Sequence, residues 1–103
     1  MSYQLVLQVR GELLSDFDAM LSLEQALAIE LDDIGEVDGH HMGCGEINIF
    51  ILTVNPEAAF EKSKPSLISH KLLNRVKAGF RLFSEDSYTT IWPMNSVDEF
   101  LVA

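Results

Sequence analysis

The chain has 103 residues, of which 48% are apolar, and its formal net charge is -9. This length and composition predict one folded domain over residues 1–103 and exclude a disordered chain. The acidic balance argues against nucleic acid or an anionic membrane as the principal partner, because phosphate groups are bound by clustered cations. A single cysteine rules out an internal disulfide and favours a reducing cytoplasm.

The first half of the chain predicts one strand, one helix and a hairpin. Residues 3–9 alternate apolar with polar side chains, with Val6 as the exception, and this period-two pattern predicts a strand with one buried face. Apolar residues then recur at steps of three and four, which predicts a helix from about Phe17 to Leu31. Strands are expected over Glu36–His41 and Glu46–Val54, joined through glycines that allow positive φ.

The second half predicts a helix followed by short strands. Asn55-Pro56-Glu57 is typical of a helix start, with a capping side chain, proline at the first helical position and an acidic first turn. Pro65 is expected to kink or split this helix. Phe80–Leu82 and Tyr88–Trp92 favour strands, and Ser96–Leu101 favours a terminal helical turn.

The order of elements is β-α-β-β-α-β with a final β extension, which predicts an α+β fold. Two helices on one face of an antiparallel sheet suit this order, as in a ferredoxin-like split βαββαβ arrangement. The longest apolar run, Ile47–Val54, is far shorter than the roughly 20 residues that span a bilayer. Residues 1–4 lack the features of a signal peptide, so a cytoplasmic location is expected.

Charge is spread unevenly along the chain. Residues 1–46 contain ten acidic residues and only one basic residue, Arg10. Residues 56–83 contain six basic residues against Glu57 and Glu61. The basic segment suits contact with an acidic surface, including that of a second copy of the chain. The plainer interpretation is that both segments are ordinary solvated faces.

The predicted hairpin concentrates residues that bind metals or do chemistry. They are Asp38, His40, His41, Cys44 and Glu46. All five are metal-ligand types, but adjacent residues of a strand point to opposite faces, so the two histidines cannot share an ion without a bulge or turn. The glycines between them are also explained by turn geometry alone. A metal or ligand site and a simple turn therefore both remain open.

Two catalytic arrangements are conceivable in the same hairpin. Cys44 beside two histidines suits a nucleophile, and Asp38 facing Glu46 suits an acid–base pair. No oxyanion hole, phosphate-binding glycine loop or cofactor motif accompanies them. The sequence therefore predicts no catalytic residue, cofactor or metal, and an enzyme is the less favoured class.

Trp92 is the strongest aromatic candidate for recognition. Tryptophan is frequent at the energetic centre of protein interfaces, and Trp92 lies in the last predicted strand, which is a plausible sheet edge. The alternative is a core tryptophan at a strand end.

Four sequence blocks carry a resemblance. They are Glu36–His40, the block Gly43-x-Gly45-Glu46-x-Asn48-Ile49-Phe50-Ile51, Asn55-Pro56, and Tyr88–Pro93. In this order they resemble a family of small, uncharacterised bacterial proteins with a VDGxxxGxGExNIFI core, similar to ferredoxin-like α+β domains. Asn55 stands where the family pattern has Asp, which keeps the helix cap. His41 and Cys44 stand at variable positions, which weakens the metal and thiol hypotheses.

The resemblance implies a fold but no established activity, although some short acidic proteins of similar type lie beside toxin genes as immunity proteins. Our leading hypothesis is a non-enzymatic cytoplasmic domain that binds another protein, with an immunity or antitoxin-like role as one form. The alternative is a small ligand- or metal-binding protein that uses the hairpin of residues 38–46. A homodimer is a third possibility, whereas nucleic acid and membrane are not expected partners.

Overall fold

The computed structural model describes residues 2–10, 17–43, 45–93 and 100, without the side chains of residues 17, 18 and 43. Cys44 and the predicted terminal turn at 96–101, apart from Phe100, lie outside the described residues. The elements, in chain order, are β1 (Tyr3–Arg10), α1 (Phe17–Glu30), β2 (Gly35–Gly43), β3 (Glu46–Thr53), α2 (Pro56–Ser69), β4 (Lys77–Leu82) and β5 (Thr89–Trp92).

The five strands form one antiparallel sheet in the order β2-β3-β1-β4-β5. The predicted α+β class, antiparallel sheet and two helices are confirmed. The four-strand βαββαβ order is not matched as such, because β5 pairs with β4 and adds a fifth strand at that end of the sheet. β2 and β5 are therefore the two edge strands.

One face of the sheet and both helices form the core. Leu5, Leu7 and Val9 of β1 stand opposite the isoleucines of β3, and alternate residues of β3 and β1 share this face. Leu23 and Leu27 of α1 and the buried residues of α2 pack into the same cluster. The apolar residues of β1 and those of α1 thus meet on the same face of the sheet. A shift of one residue would turn the apolar residues of a strand to the other face, so this packing fixes the register of the central strands.

α2 begins and continues much as its sequence dictates, with one difference. The Asn55 side chain accepts a hydrogen bond from the Ala58 backbone N–H at 3.1 Å, which is the expected N-cap. The helix then runs through Pro65 without splitting. Pro65 and the preceding-turn residue Glu61 are exposed, so water can solvate the carbonyl group that proline leaves without its helical donor.

The other face of the sheet is more polar but is also covered at its centre. Val6 is fully buried there, and the Phe100 ring lies against Gly79, where an added Cβ would come within 2.7 Å of the ring. Gln8 and Asn48 are buried on this face as a cross-strand pair. Neither helix of the described chain is long and apolar enough to cross a membrane.

Candidate functional site

The hairpin of β2 and β3 contains an irregularity at Asp38. Val37 pairs with Ile51 and Gly39 pairs with Phe50, so Asp38 has no partner position on β3, as in a β-bulge. Gly39 has φ of 120°, a backbone conformation that glycine adopts far more readily than other residues. The bulge leaves the exposed Asp38 outside the regular alternation of β2.

The bulge also decides where the two histidines lie. His40 pairs with Ile49, on the helix-covered face, and its Nδ1 lies 2.9 Å from Glu24 Oε1 of α1. The two atoms lie within ion-pair distance, but no aligned hydrogen bond from a described residue reaches Glu24 Oε1. His41 pairs with Asn48 on the opposite face. The structure therefore separates His40 from His41, as strand alternation predicts.

The remaining hairpin candidates do not assemble around either histidine. Glu46 pairs with Gly43 and stands opposite Arg10 of β1. Along β3, Glu46 and the position next to Asp38 are four residues apart, roughly 13 Å at the rise of a strand. The structure does not bring the two carboxylates face to face. Within the described residues, which exclude Cys44, no group of three His, Cys, Asp or Glu side chains is placed to hold a metal ion.

What the hairpin does present is negative charge along the outer edge of the sheet. We call the exposed residues Asp32, Asp33, Glu36 and Asp38 the acidic edge. They occupy the turn after α1 and the first half of β2. Lys62 of α2 forms an ion pair with Asp33. The hydrogen bond from the Lys62 ammonium group lowers the pKa of Asp33 below its ordinary value of 3.8, so this carboxylate is already neutralised in part by the chain itself.

Trp92 lies at the opposite edge of the sheet, in β5. Its indole Nε1 donates a hydrogen bond to the Leu73 carbonyl oxygen at 2.9 Å, and its ring lies 5.6 Å from the Phe60 ring. The Lys64 ammonium group is 5.1 Å from the Trp92 ring centroid. Trp92 packs against the core while half exposed, so it serves as a structural anchor as well as a surface residue.

A groove of about 560 Å³ runs between β5 and the first turns of α2. It is lined by Asn55, Glu57, Ala58, Phe60, Glu61, Ile91 and Trp92. Aromatic rings beside carboxylates suit a cation, but Lys64 already fills this role within the chain: its ammonium group contacts both Glu61 and the Trp92 ring. Trp92 lies in β5 and the hairpin contains β2, at opposite edges of the sheet, so Trp92 and the hairpin do not form one site.

A second concave region lies at the far end of β1, and sequence reasoning missed it. The basic pocket, as we name it, has a volume of about 360 Å³ and is lined by Gln8, Val9, Arg10, Glu46, Arg75 and Lys77. The only signal in the sequence was the excess of basic residues over positions 56–83. Arg10 belongs to the acidic half, and only the pairing of β1 with β3 and β4 brings it to Lys77.

Comparisons of the chain with protein-family models, with curated proteins and with solved structures find no match. The family resemblance therefore stays a prediction.

Proposed function

We propose that this protein is a non-enzymatic domain that binds a basic protein partner through the acidic edge. The observation that carries the proposal is the position of β2, a nine-residue strand at the end of the sheet with Glu36 and Asp38 exposed along it. An edge strand has backbone N–H and C=O groups on its outer side that can pair with a further strand.

The charge of the acidic edge selects the partner. Carboxylates on an edge strand disfavour pairing of two identical β2 edges, because like charges would face each other. A strand or loop rich in Lys or Arg meets no such repulsion. Its approach would be accelerated by the net charge of -9, and this acceleration would fall as salt screens the charges.

An immunity or antitoxin role in the cytoplasm is a specific form of the proposal, in which the partner is a basic toxin that binding blocks. The chain's small size and acidity support it. A toxin gene next to the gene for this protein would support this form directly.

The proposal is tested by affinity capture from the native host at low salt with three forms of the protein. The wild type should capture a basic protein that the Glu36→Lys/Asp38→Lys variant does not. The matched control is Glu85→Lys/Asp86→Lys, which makes the same charge change at exposed positions between β4 and β5 and should capture the partner normally. Capture of the same proteins by all three forms, or of none, contradicts the proposal.

We also propose that the domain is a ferredoxin-like arrangement extended by β5. The support is the order β2-β3-β1-β4 of the first four strands, with both helices in the crossovers between strands. An experimental structure with a different order of these four strands would overturn this assignment.

A further inference from the structure

We propose that the basic pocket binds an oxyanion carried by a small molecule, a phosphate or a carboxylate group. This site is separate from the acidic edge and does not depend on the function proposed for it. The pocket belongs to the end of the sheet where β1 finishes and β4 begins, and its walls are side chains of three adjacent strands and of the turn before β4.

The strand register builds the pocket. Gln8 pairs with Asn48 on one side and with Lys77 on the other, and Arg10 pairs with Glu46 two residues further along β1. Gln8, Arg10, Glu46 and Lys77 therefore share the face of the sheet that the helices leave open. Arg75 reaches the pocket from the turn before β4, where its backbone N–H donates to the Leu72 carbonyl oxygen at 2.8 Å. Strand pairing thus fixes the backbone positions of Arg10, Glu46 and Lys77, and a turn hydrogen bond holds that of Arg75.

The wall carries positive charge in excess. Among the described residues, it has the cations Arg10, Arg75 and Lys77 and one carboxylate, Glu46. Glu46 stands opposite Arg10 and can balance it, but neither Arg75 nor Lys77 has an ion-pair partner within the described residues. By contrast, Lys62 and Lys64 are paired with carboxylates elsewhere. The chain as a whole has a net charge of -9, so an anion would be attracted most strongly to a local cluster of cations such as this one.

The hydrogen-bond donors of the pocket wall also favour an anionic ligand. Arginine and lysine side chains only donate, so three of the polar residues offer no acceptor. Behind them, Gln8 is 5% exposed and its Nε2 donates to Asn48 Oδ1 at 2.9 Å. Asn48 Nδ2 is buried and finds no acceptor among the described residues, which is rare for a buried donor. Among the described side chains at the pocket, hydrogen-bond donors therefore outnumber acceptors, and an oxyanion supplies acceptors.

The size of the pocket limits the ligand. About 360 Å³ lies at the lower end of the range for small-molecule sites, roughly 300–1,000 Å³. A nucleic-acid chain would need a stripe of cations rather than one concave cluster. A compact ligand with one charged oxyanion group fits both the volume and the charge.

The test is a titration followed by the backbone amide signals in a two-dimensional NMR spectrum, with inorganic phosphate and with citrate as probes. Sodium chloride at matched ionic strength is the reference. Saturable shifts at Gln8, Arg10 and Lys77 with either probe, beyond those caused by chloride, support the proposal. Saturation with phosphate alone assigns a phosphate ligand, and saturation with citrate alone assigns a carboxylate.

Two pocket variants and two controls sharpen the result. Lys77→Gln and Arg75→Gln should each weaken the affinity for the bound probe by roughly tenfold, the effect of losing one charge-assisted hydrogen bond. Lys62→Gln and Glu36→Lys/Asp38→Lys should leave it unchanged, because these residues lie outside the pocket. Shifts that never saturate, that chloride reproduces, or that both pocket variants retain at full affinity overturn the proposal.

Discussion

At one edge of the sheet β2 runs for nine residues, and at the other β5 runs for four. The long edge contains a register irregularity and the exposed carboxylates Glu36 and Asp38. The short edge ends in Trp92, which is tied to Leu73 by a hydrogen bond and packs on Phe60. The two edges therefore differ in length and in the side chains that they present.

This difference indicates that one edge contributes mainly to stability and the other mainly to binding. An aromatic side chain that packs inward stabilises the edge strand that carries it, and its removal lowers the free energy of unfolding. Exposed charges on a bulged strand add little to folding but strongly affect which surfaces can approach. We therefore expect the β5 edge to govern stability and the β2 edge to govern binding, and the following substitutions test that division.

Trp92→Ala should have the largest effect. Loss of the ring contact with Phe60 and of the hydrogen bond to Leu73 should lower the free energy of unfolding by about 3 kcal/mol, measured by urea denaturation. Trp92→Phe, which keeps a ring but loses the hydrogen bond, should cost about 1 kcal/mol. Met42→Ala on the exposed β2 edge is the matched control and should change stability by less than about 0.5 kcal/mol. Equal losses at the two edges would contradict the division.

A smaller loss of stability is expected when a methyl group is added to a glycine of β4 or of β2. Gly79→Ala in β4 should cost about 2 kcal/mol, because its Cβ would lie 2.7 Å from the Phe100 ring. Gly35→Ala in β2 would place its Cβ 2.9 Å from the Leu52 carbonyl oxygen, a backbone atom of the paired strand, so a loss of about 2 kcal/mol is expected there too.

The Phe100 ring is the expected cause of the loss at Gly79. In a Phe100→Ala background the added methyl group no longer meets a ring, and alanine is intrinsically better than glycine in a strand. The loss caused by Gly79→Ala should therefore disappear in the double variant, which a double-mutant cycle of thermal or urea unfolding measures. An undiminished loss would show that the ring is not the cause.

The smallest effect concerns the ion pair within the acidic edge. Lys62 lowers the pKa of Asp33, so the pair stabilises the folded state above the unfolded-state pKa near 3.8 and loses this effect as pH falls through the lower folded-state pKa. Lys62→Met should raise the pKa of Asp33, measured by NMR titration of its carboxyl carbon. The stability difference between wild type and variant should shrink as the pH falls below that range, whereas an unchanged Asp33 pKa would rule out the pairing.

Local patterns predicted much of the fold. Alternation in β1, the three-and-four spacing of α1 and the Asn55-Pro56 start of α2 each specify an element from residues close in sequence. Of the two outcomes predicted for Pro65, a kink or a split, the split is wrong, since a proline on an exposed helix face costs one hydrogen bond without ending the helix when the buried residues around it continue to pack.

The site was less predictable because it depends on pairing between distant residues. Strand alternation was enough to place His40 and His41 on opposite faces, but not to say which of them would meet Glu24. The basic pocket forms only because the pairing of β1 with β3 and with β4 brings Arg10 near Lys77. A pattern of residues close in sequence does not predict these pairings.

Asp38 is the one residue of β2 without a partner position on β3. Because Val37 and Gly39 face consecutive positions of β3, the pairing of β2 would read as an uninterrupted ladder if Asp38 were removed. Every other residue of the strand would keep its partner and its face. Asp38 is thus an insertion that the sheet does not need for its hydrogen bonds, and deleting it would subtract one exposed carboxylate from the surface while leaving the architecture in register.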